Sequence, residues 1–104
     1  MEAPREMNRE QVIATLREHE RELKAAGVLH LAVFGSVARG DNSAASDVDL
    51  LAEFDPSRRL TLVAIGRMQS QLTDWLQARV DLSTPGWLRE SIRARVVAEA
   101  VDAF

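Results

Sequence analysis

Two acidic residues stand one position apart inside an otherwise apolar run, the sequence DVDLLAEF that begins at Asp47. Aspartate is depleted in strands, and a buried carboxylate without a partner is costly, so this run needs a compensating charge. Because side chains alternate along a strand, Asp47 and Asp49 are predicted to share one face of a sheet. The apolar Val48, Leu50 and Ala52 then point to the other face. The sequence therefore predicts a sheet with one buried face and one face that carries converging carboxylates.

The rest of the sequence predicts helices that alternate with short strands. Apolar residues recur at helical spacing after Asn8, which forms a capping box with Gln11, and Gly27 stands where that helix ends. Short β-forming runs follow, separated by small polar residues and by a Pro-Gly break. The predicted order is a helix over about 8–26, a strand at Val28–Phe34, one helical turn at Ser36–Arg39 closed by Gly40, a strand at Asp47–Phe54, a helix from about Thr61, a strand at Arg79–Ser83 and a last helix at about Leu88–Ala103.

The two later helices each show an apolar stripe that is predicted to face the sheet. The stripe comprises Leu62, Ile65, Met68, Leu72, Trp75 and Leu76 on the first helix, and Leu88, Ile92, Val96, Val97, Ala100 and Val101 on the second. The predicted fold class is therefore α/β, in the α+β sense, with a small mixed sheet of three to four strands and helices packed on one face. So few residues cannot cover both faces, and we expect the other face of the sheet to be open.

Length and composition limit the classes of protein to consider. At 104 residues we expect one domain over residues 1–104. The net charge of −3 disfavours direct nucleic-acid binding, and the absence of cysteine excludes disulfides, thiolate metal sites and cysteine nucleophiles. No apolar run approaches the roughly 20 residues that cross a membrane, so we expect a cytoplasmic protein with no membrane partner.

The chemistry that fits paired carboxylates in this setting is the binding of divalent cations. Residues two apart on a strand lie roughly 7 Å apart, so Asp47 and Asp49 can reach one or two hard cations. Mg²⁺ prefers such oxygen ligands together with substrate phosphates. Gly35-Ser36 stands between a strand end and a helix start, where the backbone can approach a phosphate and Ser36 can add a hydroxyl donor. Asp81 lies in a similar apolar run, and three gathered acids would repel one another without cations.

Together these residues carry a family resemblance. Gly35-Ser36, the Asp47 and Asp49 pair, and Asp81 closely resemble the signature of the nucleotidyltransferase superfamily related to DNA polymerase beta. More narrowly, the chain resembles the minimal nucleotidyltransferases, the MNT family, of which some members are the antitoxins of HEPN/MNT toxin–antitoxin pairs. The leading helix, the long helix before the third acid and the closing helix extend the match beyond the motif, and no motif position departs from it.

The resemblance implies a nucleotidyltransferase fold, similar to the palm of polymerase beta, and a set of roles. Gly35 and Ser36 would bind the triphosphate, and Asp47 and Asp49 would bind two Mg²⁺ ions. Asp81 would bind the catalytic ion and help to activate the acceptor hydroxyl. The reaction implied is the transfer of AMP from ATP to a hydroxyl of a protein acceptor, with release of pyrophosphate. The acceptor that the family suggests is a HEPN ribonuclease toxin, which the antitoxin would adenylylate on a tyrosine.

Two other functions stay open at this point. One is an antitoxin that acts by binding alone, covering its partner with the open sheet face or the last helix, although the intact acids argue against it. The other is a small-molecule nucleotidyltransferase of the aminoglycoside-modifying kind, although those relatives usually carry a further domain for the acceptor. The motif leaves open the base preference, the number of nucleotides transferred and a homo- or hetero-oligomeric state.

Three side chains outside the motif have less specific interpretations. Arg39 either steers the triphosphate or pairs with a nearby acid such as Asp41. Trp87 either packs at the edge of the core or contacts another protein. His19 is predicted to be a solvated side chain on a charged helix, without a metal-ligand partner at suitable spacing.

Overall fold

The computed structural model describes residues 8–43 and 45–104, which form a four-stranded sheet with helices on both faces. In chain order the elements are α1 (Arg9–Glu18), α2 (Glu20–Ala25), β1 (Val28–Phe34), α3 (Gly35–Arg39), β2 (Val48–Phe54), α4 (Leu62–Leu76), β3 (Val80–Ser83), a 3-10 turn (Pro85–Trp87), α5 (Glu90–Glu99) and β4 (Val101–Asp102). The rest of the single domain predicted over 1–104 lies outside the described residues. No helix among them is long and apolar enough to span a membrane.

The sheet is mixed, with the strand order β3-β2-β1-β4. Strand β1 runs antiparallel to both β2 and β4, whereas β2 and β3 are parallel. The parallel pair is joined by α4, the kind of helical crossover that two parallel strands require. A mixed sheet of four strands with packed helices confirms the predicted fold class.

Local sequence signals set the N-terminal boundaries of α1 and α4 as predicted. Asn8 Oδ1 accepts a hydrogen bond from the Gln11 N–H at 2.8 Å, and Gln11 Oε1 accepts one from the Asn8 N–H at 3.0 Å. This capping box satisfies donors that the first turn of α1 leaves unpaired. Thr61 caps α4 in the same way, because its hydroxyl accepts from a backbone N–H three residues on.

The first predicted helix is interrupted at His19, which separates α1 from α2. The His19 ring stacks on Trp75 of α4, with ring centroids 3.7 Å apart and planes within 3° of parallel. Its Nδ1 also lies 3.0 Å from Glu22 Oε1. The prediction that His19 is solvated is therefore wrong, since the ring is covered by a helix far away in the sequence.

Helices α1, α2 and α4 cover one face of the sheet. Their buried leucines, including Leu16, Leu23 and Leu72, pack against Leu31 of β1 and Leu50 of β2. This is the face to which the apolar residues of β2 point, as the alternation predicts. The core therefore occupies one side of the sheet and leaves the acidic residues of β2 on the other.

The inward position predicted for Leu62 is wrong, because its side chain is 81% exposed. The buried stripe of α4 runs through Met68, Leu72 and Leu76. At 3.6 residues per turn, Leu62 lies about 80° around the helix axis from Leu72, outside the contact with the sheet.

The opposite face of the sheet is covered only in part. Helix α5 packs Val96 against Ala32 and Leu51, so the prediction that helices pack on one face alone is wrong. An open groove of about 530 Å³ continues along this face, floored by Ala32 and Leu51. Val97 lines the groove and is 50% exposed, so its predicted inward position is wrong. The open face expected from the sequence is therefore present only in part, as this groove.

The last helix is shorter than predicted and ends in a strand. The helical geometry stops at Glu99, and Val101–Asp102 form β4 beside β1. Beyond β4, the Ala103 N–H donates to the Leu31 carbonyl at 2.8 Å and the Leu31 N–H donates to the Phe104 carbonyl at 3.2 Å. A free strand edge has unpaired backbone groups, so the chain end gains these bonds by becoming extended. The prediction of a helix to Ala103 is wrong for this reason.

Gly66 provides a test of the helical assignment of α4. Nothing lies within 4 Å of the position that a Cβ atom would take at Gly66. Gly66→Ala is expected to raise the free energy of unfolding by about 0.5–1 kcal/mol, because glycine loses more backbone entropy than alanine in a helix. Urea denaturation measures the change, and an unchanged or lower stability would contradict it.

Candidate active site

Strand register brings the predicted acids together. Asp49 is paired with Asp81 across the parallel strands β2 and β3, and with Phe34 across β1 and β2. Neighbouring strands lie about 4.8 Å apart, so Asp49 and Asp81 stand side by side on one face. Asp47 directly precedes β2 and lies two residues from Asp49, which puts it on the same face. The structure therefore places the third acid beside the predicted pair.

Gly35 brings the end of β1 into contact with this group. Its φ is +72°, in the left-handed region that favours glycine. A Cβ atom at Gly35 would overlap Asp49 Oδ2 and lie 3.1 Å from the carboxyl carbon of Asp49. The carboxylate of Asp49 thus rests in a space that only glycine leaves open. Ser36 follows in the first turn of α3, so the Gly-Ser turn lies next to the carboxylates.

Asp49 is the acid most affected by its surroundings. Its burial, followed by the nearby carboxylates of Asp81 and Asp47, raises the pKa of Asp49 above its ordinary value, and the positive charge of Arg39 opposes this change. Burial and like charge both disfavour the ionised carboxylate. The face therefore carries an excess of negative charge that a bound cation would stabilise.

Asp47 is held by a cation of the chain itself. Arg79 Nε donates a hydrogen bond to Asp47 Oδ1 at 3.0 Å. Within residues 8–43 and 45–104, no three acidic or histidine side chains stand close enough together to hold a metal ion in this arrangement. The strand register thus aligns three acids, while the side chain of Asp47 is paired with Arg79. Arg79 belongs to no motif in the sequence, although its position two residues before Asp81 places it on the acidic face.

The residues on this face fit a divalent cation. They offer carboxylate oxygens, which are the preferred ligands of Mg²⁺ and Mn²⁺. Gly35 leaves room for the Asp49 carboxylate, and burial, followed by the neighbouring carboxylates, raises the pKa of Asp49. Asp49 and Asp81 are the residues best placed to hold such an ion, with Asp47 as the third candidate ligand.

One of the two interpretations of Arg39 is supported by a direct contact. Arg39 Nε donates to Asp41 Oδ2 at 3.2 Å, and its Nη1 donates to Glu99 Oε2 at 3.5 Å. The predicted pairing with Asp41 is confirmed, and the Glu99 contact joins α3 to α5. Trp87 is exposed, with its ring 6.4 Å from that of Phe54, so it packs at an edge.

The raised pKa of Asp49 predicts how stability depends on pH in chelator-treated protein. A carboxyl group with a higher pKa in the folded chain destabilises the fold progressively as the pH rises from its ordinary pKa through the raised value. The whole penalty is present at neutral pH. Asp49→Asn is therefore expected to raise the free energy of unfolding at neutral pH, with the gain disappearing below the ordinary value of 3.8. Thermal melts in EDTA across this range measure it, and a neutral-pH variant less stable than the parent would contradict it.

The fold and the site together define a class of protein. A small mixed sheet with acids on adjacent strands, next to a Gly-Ser turn that opens a helix, is the arrangement that the sequence resemblance predicted for a nucleotidyltransferase. A family model described as "Nucleotidyltransferase domain" matches residues 16–103. The chain belongs to this nucleotidyltransferase domain family.

A curated relative and two solved structures make the comparison more specific. Protein adenylyltransferase MntA of Thermococcus cleftensis is 35% identical over 95 residues, which cover 88% of this chain and 92% of the relative. A solved structure provisionally named a minimal nucleotidyltransferase is 38% identical and superposes with a TM-score of 0.74. The alignment covers 91% of this chain and 95% of the chain in that structure. The resemblance to the minimal nucleotidyltransferases is confirmed, and so is the enzyme class, nucleotidyltransferase.

The second structure contains a tri-AMPylated HEPN toxin of Shewanella oneidensis in complex with its MNT antitoxin. The similarity to this structure has a TM-score of 0.63 at 16% identity, and it covers 89% of this chain and 71% of that one. At this identity the comparison establishes a shared fold.

Proposed function

We propose that this chain is an Mg²⁺-dependent protein adenylyltransferase that transfers AMP from ATP to a hydroxyl of a HEPN ribonuclease toxin, and so acts as its antitoxin. The observation that carries the proposal is the alignment of Asp49 with Asp81 beside Gly35. The name of the Thermococcus relative supports the transfer of an adenylyl group to protein. The modified toxin in the Shewanella complex supports the choice of acceptor.

Each residue of the site has a role in this proposal. The backbone at Gly35 and the hydroxyl of Ser36 orient the triphosphate, because glycine permits close approach and a hydroxyl can donate to a phosphate oxygen. Bound Mg²⁺, as two ions held by Asp47, Asp49 and Asp81, would supply the positive charge that neutralises the phosphates. Asp81 takes the proton of the acceptor hydroxyl at a carboxylate oxygen. The acceptor oxygen then bonds to the α-phosphorus as the bond to pyrophosphate breaks.

The open face of the sheet supports an acceptor that is itself a protein. The groove of about 530 Å³ lies on the same face as Asp49 and Asp81. Leu51, on the floor of the groove, is two residues after Asp49 on β2. A segment of a partner chain can lie in such a groove and present a hydroxyl to the carboxylates. In this account the toxin supplies most of the surface that selects it.

The experiment combines the purified chain, MgCl₂, ATP and the toxin encoded beside it, and measures the mass of the toxin. We expect the mass to rise by whole adenylyl groups, located on a tyrosine by fragmentation, with loss of ribonuclease activity. GTP, CTP and UTP in parallel reactions measure the base preference. A toxin that is silenced without any gain in mass would contradict the proposal and favour an antitoxin that acts by binding alone. ATP-dependent modification of aminoglycosides would favour the small-molecule alternative.

A further inference from the structure

Arg79 directly precedes β3 and lies on the face of the sheet that carries the carboxylates. The parallel register pairs Val48 with Val80 and Asp49 with Asp81, and the Val48 N–H donates to the Arg79 carbonyl at 2.8 Å. One residue before the first pair of this register, Asp47 and Arg79 therefore lie beside each other. Because side chains alternate, Arg79 shares the face of Asp81 two residues on.

The guanidinium of Arg79 contacts the carboxylate of Asp47, which a bound cation would also use as a ligand. Its Nε donates to Asp47 Oδ1 at 3.0 Å, while the Arg79 side chain itself is 82% exposed. Arg39, the other cation near this face, is paired with Asp41 and Glu99. Among the described residues, Arg79 is thus the arginine in direct contact with a predicted metal ligand.

We infer that Arg79 is a positioning residue that competes with the divalent cation for Asp47. In the free protein its guanidinium neutralises and orients the Asp47 carboxylate, and the carboxylate must leave Arg79 before it can bind an ion beside Asp49 and Asp81. This inference rests on the proposed function, because it takes those acids as the cation site. Its consequence is that the chain lowers its own affinity for the free ion.

The effect of this competition has a definite sign and a modest size. An exposed ion pair of this kind changes an equilibrium by about two- to five-fold, because solvent screens both charges. Removing the guanidinium frees Asp47 and also removes a positive charge from the neighbourhood of the incoming ion. Both changes act in the same direction, so loss of Arg79 must tighten cation binding. A residue that only stabilised the fold would have the opposite effect or none.

The experiment measures the binding of Mn²⁺ alone, without nucleotide, from the electron paramagnetic resonance signal of the unbound ion. Mn²⁺ suits the same carboxylate ligands as Mg²⁺. We expect Arg79→Gln to bind Mn²⁺ about three- to five-fold more tightly than the parent chain. Arg79→Lys keeps the charge and should stay within about twofold of the parent. Arg67→Gln removes an exposed positive charge from α4, on the other side of the sheet, and is the matched control.

Salt provides a second measurement, because it screens exposed charges. The difference between the parent and Arg79→Gln should shrink as NaCl is raised, while melting temperatures confirm that both proteins are folded. Equal or weaker Mn²⁺ binding by folded Arg79→Gln would overturn the role of Arg79 and leave the proposed function intact. An equal gain in Arg67→Gln would also overturn it, since the effect would then be one of net charge. Absence of Mn²⁺ binding by every protein, the parent included, would instead contradict the cation site itself.

Discussion

Asp49→Asn is expected to lower adenylyl transfer by about 10³-fold or more while the protein stays folded. The change removes a charged ligand from the centre of the acidic face, and the metal-ion charge that it helps to hold is worth several kcal/mol in the transition state, at about 1.4 kcal/mol for each factor of ten. Asp81→Asn should have a comparable effect, because Asp81 is the register partner of Asp49. Transfer of AMP to the toxin, followed by mass spectrometry under single-turnover conditions, measures both.

Asp74→Asn is the matched control for these variants. Asp74 is an exposed residue of α4, the helix on the opposite face of the sheet, and its substitution removes the same charge. It should leave transfer within about twofold of the parent. Thermal melts of Asp49→Asn at neutral pH, where we expect a stability no lower than that of the parent, distinguish a loss of activity from unfolding. Nearly full activity in Asp49→Asn would show that the acidic face is not the centre of the reaction.

Gly35→Ala is expected to lower transfer by about 10²-fold or more, because a misplacement of about 1 Å at a reacting group can have an effect of that size. The new methyl group would overlap Asp49 Oδ2 and force the carboxylate away from the Gly-Ser turn. The left-handed backbone at Gly35 adds about 1–2 kcal/mol of strain, which lowers stability as well. Transfer rates and urea denaturation separate the two effects.

Gly40→Ala separates backbone strain from the clash. Gly40 has a similar φ of +81°, but no atom of residues 8–43 and 45–104 lies within 4 Å of the position its Cβ atom would take. It should therefore lose a similar amount of stability and keep most of the transfer rate. If Gly35→Ala and Gly40→Ala lost activity equally, the contact between Gly35 and Asp49 would have no special role. Wild-type activity in Gly35→Ala would contradict the proposed geometry directly.

Much of the candidate site follows from patterns that are local in the sequence. The alternation in the run after Asp47 is enough to place Asp49 opposite the buried Val48 and Leu50, because a strand has a period of two. The Gly35-Ser36 turn is marked by the abrupt end of an apolar run. These signals need no knowledge of distant contacts, and the structure agrees with them.

Other features depend on contacts between distant segments and are not visible in a local pattern. The pairing of Asp49 with Asp81 is set by the register of two strands that α4 separates, and the contact of Arg79 with Asp47 follows from the same register. Strand β4 forms because β1 has a free edge, which nothing in the sequence near Val101 indicates. The stacking of His19 on Trp75 is also invisible in a local pattern, because Trp75 belongs to another helix.

The exposed apolar residues show a second limit of local patterns. Leu62 continues the apolar stripe of α4 by spacing alone, and Val97 does the same on α5, yet both are exposed. A helix stripe predicts which side is apolar, but the packed structure decides which of its residues contact the sheet. Leu62 lies to one side of the contact made by α4, and Val97 lines the open groove.

A crystal structure of the chain with Mn²⁺ and a non-hydrolysable ATP analogue is the decisive test of the cation site, because the anomalous signal of manganese locates each bound ion. We expect manganese peaks in contact with the carboxylates of Asp49 and Asp81, with the triphosphate against Gly35 and Ser36. It also predicts that the Asp47 carboxylate has moved from Arg79 to an ion. Manganese and nucleotide bound elsewhere on the molecule, with the acidic face free of both, would contradict the account.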